Sequence, residues 1–147
     1  MKHPVLTALL FLLTVPAFAG DRIPSHLVGV WATETSVLRG TLLFEGAAVY
    51  LGAEGIGCIM GGPPPIGVRI VATFNPETNG IEWQETVDGK IVAKGRLMYD
   101  AAQKTLRSDE QPGQILRRRF NKLTNSTRKA LGIELTTETE DPINETS

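Results

Sequence analysis

This chain of 147 residues has one cysteine, two histidines and no surplus charge. Each shortage excludes a class of chemistry. A single thiol, Cys58, cannot close an internal disulfide. With His3 near the very start and His26 as the other imidazole, there is no His/Cys set for a metal centre. A net charge of −1 leaves no basic surface of the kind nucleic acid requires. Aromatic residues make up 6% of the chain, so each one carries weight in any core or binding site. Long apolar runs are also missing: the stretch over residues 5–13 is about half of the roughly twenty residues a spanning helix needs. No nucleophile elbow, phosphate loop or metal-ligand spacing is present, so no catalytic residue is named and no cofactor is expected.

The short apolar stretch has a different meaning. Lys2 and His3 precede it, Pro16 ends it, and Ala17-Phe18-Ala19 follows, a small-x-small cleavage signature before Gly20. Residues 1–19 therefore read as a secretory signal peptide, cleaved after Ala19. The mature chain is expected to be periplasmic or secreted, with no stable membrane span after cleavage. Residues 20–123 are expected to form one β-barrel domain, and residues 124–147 a short helix and an acidic tail.

The middle of the chain is written in period two. Val68, Ile70, Ala72 and Phe74 alternate with Arg69, Val71 and Thr73, and Ile81, Trp83 and Val87 with Glu82, Gln84 and Thr86. Ile91, Ala93, Gly95, Leu97 and Tyr99 share one face, opposite Lys94 and Arg96. Such alternation marks half-buried antiparallel strands. Asp88-Gly89 is a tight hairpin signal. The connection 75–80 (NPETNG) and the one from Tyr99-Asp100 to Leu106 share a plan: an aromatic, Asn or Asp, a polar stretch, then a new strand. Gln111-Pro112-Gly113 turns the chain into a strand over 115–120.

The first half is less regular. Residues 27–33 read as a first strand, 41–45 and 48–51 as a hairpin about Gly46, and 56–60 as a short strand between glycines. Gly61, Gly62, Pro63, Pro64 and Pro65 read as a stiff connector, because three successive prolines lack N–H donors. Near the end, residues 124–131 fit a helix capped by Thr124 or Asn125 and stopped by Gly132. Residues 117–129 hold six basic and no acidic groups, and 134–147 five acidic and no basic groups. The polar segment from residue 136 onward reads as a disordered tail. The whole reads as an all-β, eight- to nine-stranded antiparallel meander barrel with a short C-terminal helix and a disordered tail.

Gly29-Val30-Trp31 opens the first strand after a short polar lead. A G-x-W at this point, followed by a strand meander and a C-terminal helix, resembles the lipocalins and the wider calycin group. The resemblance implies that Trp31 plugs the closed end of a barrel and that an arginine near the last strand packs across it. Arg117, Arg118 and Arg119 are the candidates, with Arg117 and Arg119 on one face. It further implies a cup for a small apolar molecule.

Two uses follow from the residues. A secreted or periplasmic protein binding a small, partly apolar ligand would line its cup with Tyr50, Phe74, Trp83 and Tyr99. Alternatively, an interaction module, such as an inhibitor or accessory subunit of an envelope or secreted complex, would present Gly61 to Pro65 as a rigid contact loop. Enzyme activity is the weaker expectation: Glu82 and Glu85 point to opposite faces of a strand, a poor acid/base pair. Cys58, flanked by apolar residues, reads as buried core.

Overall fold

Strand alternation and tight turns between residues 29 and 120 produce nine strands in the computed structural model, which describes residues 22–133. They are β1 (Gly29–Thr33), β2 (Val37–Arg39), β3 (Leu42–Leu51), β4 (Ile56–Gly62), β5 (Ile66–Asn75), β6 (Gly80–Val87), β7 (Lys90–Asp100), β8 (Thr105–Ser108) and β9 (Ile115–Phe120). A 3-10 turn (Ser25–Leu27) precedes them and helix α1 (Asn125–Leu131) follows. The leader expected over residues 1–19 and the tail from residue 136 onward lie outside the described residues.

Every pairing is antiparallel, and β1 pairs with both β9 and β3, so β1 and β3–β9 close into an eight-stranded barrel. β2 stands outside it, paired to the first residues of β3. The expected hairpin about Gly46 is instead one continuous, bent strand. Gly46 has φ +107°, a conformation that L side chains resist, and Ser36 sits against the space a side chain would take. The Ser36 hydroxyl donates to the Ala47 carbonyl and accepts from the Ala47 N–H. The bend lets one half of β3 pair with β2 and the other half with β1.

Two four-residue connections are built alike. Asn75 Oδ1 accepts from the Glu77 N–H, Asp100 Oδ1 accepts from Ala102 and Gln103, and Asn79 and Lys104 take positive φ before the next strand. At the β6–β7 turn, Asp88 and Gly89 both take positive φ, as the tight hairpin requires. Gly61 and Gly62 belong to β4, paired with Ile66 and Gly46, so the connector is the three prolines alone. A glycine is needed at 62 because a side chain would meet the Phe44 carbonyl oxygen.

The barrel has apolar material on both sides of one wall. Inside lie Trp31, Val49, Leu51, Ile70, Ala72, Ile81, Leu97, Leu106 and Leu116. Outside β1, β3 and β4, a second cluster of Val30, Ala32, Leu43, Ala48, Tyr50, Cys58, Met60 and Leu123 is covered by Leu131 and Ile133. α1 is fixed there by hydroxyls: Thr41 Oγ1 lies 2.7 Å from Thr127 Oγ1 and accepts from the Thr124 N–H at 3.1 Å. Thr124 caps the helix and Gly132 ends it in the left-handed conformation.

Candidate functional site

An antiparallel meander sends alternate turns to opposite ends, so the two ends of this barrel differ by construction. At one end the 3-10 turn folds across the opening. Ile23 N–H donates to the Ala53 carbonyl and Phe74 N–H to the Arg22 carbonyl, binding the lead segment to the β3–β4 turn and to the end of β5. Trp31, 2% exposed, fills the space beneath and donates from Nε1 to the Leu27 carbonyl at 2.9 Å. Its ring meets Tyr99 edge-on at 6.2 Å, and Tyr99 in turn lies 5.3 Å from the His26 ring. In register, Trp31 stands opposite Arg118. The Arg118 guanidinium donates to the carbonyls of His26 and Val28 at 3.1 Å each, and to that of Ser25 at 3.4 Å. Arg119 instead holds the carbonyls of Thr33 and Glu34, and Arg117 reaches that of Gln103. Of the three arginines, Arg118 is the one whose guanidinium reaches the segment over Trp31, whereas Arg117 and Arg119 bond elsewhere.

The other end is open. The prolines, the Asp88-Gly89 turn and the loop 109–114 surround it. Below them lies a cavity of about 320 Å³, lined by Ala47, Val49, Ile59, Leu97 and Leu116 as an apolar floor, with Trp83 on one side. Ser108, Glu110, Gln111 and Gln114 supply a polar lip. This volume is at the small end of the range for ligand pockets, and an apolar floor with a few polar groups is their usual composition. A larger groove of about 720 Å³ crosses the outer wall between Arg22, Thr73, Gln84 and Arg96. Its lining is more polar than that of the cavity, with Glu82, Lys94 and Asp109 among its walls, and it shares Trp83 and Glu110 with the cavity.

The lip is held from outside. Asp109 accepts from Arg96 Nε at 2.7 Å, and its N–H donates to the Arg96 carbonyl at 3.1 Å. This double tie turns the loop after β8 back over β7. There, Gly95 has no side chain to interfere: a methyl group on it would stand 2.6 Å from Cζ2 of Trp83 and 2.7 Å from Oε1 of Glu110. Glu110 and Trp83 thus meet over bare backbone.

Of the four residues expected to line a cup, Trp83 does so. Phe74 and Tyr99 point inward but pack against the interior cluster, with Tyr99 over the Trp31 plug. Tyr50 lies on the outer face, 7% exposed among the residues that α1 covers. Pro63, Pro64 and Pro65 are exposed at the rim, with Gly61 and Gly62 partly covered below them. Near the rim stand exposed apolar residues: Ile66, Val87, Ile91 and Val92. An irregularity in the β6–β7 register between Glu85 and Thr86 and the projecting hairpin explain why Ile91, expected on the inner face, stands free.

Cys58 is fully buried outside the barrel wall, and burial pushes its thiol up to about 12. A thiol held protonated is no nucleophile at neutral pH. Sequence reasoning missed Glu110, Gln111 and Gln114, because nothing local shows that their loop returns over the mouth. One signal was available: a glycine in the middle of a strand, Gly95, marks a close approach. Compared with known proteins, the chain matches no protein-family model, no curated protein and no solved structure.

Proposed function

We propose that this is an exported cup-shaped carrier or receptor for a small, partly apolar molecule, bound at the open end of the barrel. One observation carries the reading: a cavity of about 320 Å³ whose floor is apolar and whose lip is polar, opposite an end closed by Trp31. The plug, the meander and the packed C-terminal helix also agree with the lipocalin resemblance, in which such a cup is the working part. The leader over residues 1–19 supports export to the periplasm or beyond.

Native mass spectrometry of the mature protein, purified from its own secretory compartment, tests this. A reproducible extra mass that leaves on denaturation is expected. The Ala47→Phe variant fills the floor and should lose that mass while keeping its β-sheet spectrum. An unchanged bound mass in this variant would place the ligand elsewhere.

A second reading has its own observation. Exposed Ile66 beside the prolines and exposed Val87, Ile91 and Val92 on the hairpin form an apolar rim suited to a protein partner. Here the protein is an inhibitor or accessory subunit of an envelope or secreted complex. Replacing Pro63, Pro64 and Pro65 by alanine should then weaken partner capture, whereas the cup reading leaves the bound mass in place.

A further inference from the structure

We propose that the ligand of this cavity is a protonated amine with an apolar body, its ammonium held between the Glu110 carboxylate and the Trp83 indole. The inference rests on the cup reading above and names its ligand class.

The first argument is the charge of the lining. Glu110 is the one charged side chain around the cavity, and it is a carboxylate. A cup for an apolar acid would put a cation at this place. Arg22, Lys94 and Arg96 share the outer groove with Glu110, but none of them lines the cavity: Arg96 is engaged by Asp109 at 2.7 Å, and Lys94 alternates to the outer face of β7, opposite Gln84. Among the described residues neither Glu110 nor Glu85 makes an ion pair. Glu85 follows Trp83 by two positions on β6, so it shares the inward face nearer the mouth. An entering cation therefore meets the Glu110 carboxylate with no cation among the lining side chains.

The second argument is geometric. Glu110 Oε1 and the Cζ2 and Cε2 atoms of the Trp83 ring come to within 3 Å of the same point above Gly95. An indole attracts a cation through its ring electrons, and a carboxylate beside it adds direct charge attraction. The carboxylate repels an anion. Below them the floor of Val49, Ile59, Leu97 and Leu116 receives only apolar material. The site as a whole selects a positive head and an apolar body.

Titration of the mature protein at pH 7 with octylamine, octan-1-ol and octanoate, followed by calorimetry and by tryptophan fluorescence, tests the assignment. The mouth is partly open to water, so a preference of about tenfold for the amine over the alcohol is expected, with octanoate weakest. E110Q should bring the amine-to-alcohol ratio close to one. Gly95→Ala, which forces the indole and carboxylate apart, should lower the same ratio. Equal binding of amine and alcohol to the unaltered protein overturns the amine assignment and leaves the cup standing. Tightest binding of octanoate overturns it as well. Binding of none of the three overturns the cup and this inference with it.

Discussion

Cys58 offers a direct test of how α1 is held. The thiol lies outside the barrel wall in the cluster that Leu131 and Ile133 cover. Burial pushes it up to about 12, whereas the exposed thiol of an unfolded chain titrates near 9. At pH 8 the thiolate fraction of the native thiol is then roughly three orders of magnitude below that of an unfolded chain. Reaction with Ellman's reagent should be slower by at least that factor, since burial also blocks access. Leu131→Ala trims a half-buried side chain from the cover. Truncation of a fully buried leucine costs about 2–5 kcal/mol, so about 1–2 kcal/mol is expected here. If α1 lifts without the barrel unfolding, this speeds labelling about 5- to 30-fold. Leu106→Ala, in the interior cluster, should lower the urea midpoint more and the labelling half-time less. Native labelling within tenfold of the urea-unfolded rate would refute the burial argument. Faster labelling by Leu106→Ala than by Leu131→Ala would refute local release of the helix.

Other expectations follow from the same contacts. The unfolded thiol ionises near 9 and the folded one stays protonated to about 12, so the unfolded state binds fewer protons across that window. Stability should be unaffected by this group below pH 9 and fall by about 1.4 kcal/mol for each unit above it. Cys58→Ala should flatten that alkaline slope in urea titrations. Gly46→Ala puts a methyl group 2.3 Å from Ser36 Oγ at φ +107°. A loss of about 2–4 kcal/mol, or roughly 5–15 °C in Tm, is expected in thermal melts. Arg118→Ala removes the donor shared by the carbonyls of Ser25, His26 and Val28. It should cost about 1 kcal/mol and weaken the near-ultraviolet signal of Trp31, and Arg118→Lys should not recover it, because an ammonium lacks the guanidinium's fixed fork.

The strands whose period two was plain in the sequence were those with one wet face, although residues 27–33 and 56–60 were also read as strands. Ile81, Trp83 and Leu97 alternate with charged neighbours because only one side of β6 and β7 is covered, and period two shows that directly. β1 gives no such signal: Val30, Trp31 and Ala32 are all buried, since the interior takes one face and the α1 side takes the other. The same doubling hid Tyr50, whose alternation is plain but whose outward side proved to be a second core. Gly46 suggested a turn, because a left-handed glycine serves a hairpin and a sharp bend equally well. At the site, Trp83 could be found from its place in an alternating strand. Glu110 could not, because its position depends on Asp109 finding Arg96, thirteen residues away.

The two-sided wall also divides the freedom of this chain to change. In the sector of β1, β3 and β4, a substitution on either face disturbs packed apolar neighbours, so few replacements are tolerated. Along β5, β6 and β7 the outward positions, such as Arg69, Thr73 and Glu82, are exposed and can vary at little cost. The loop 109–114 joins the mouth to this permissive side and contributes no residue to either core. Substitutions along the lip from Glu110 to Gln114 could change what the cavity admits while leaving the half that keeps the barrel folded untouched.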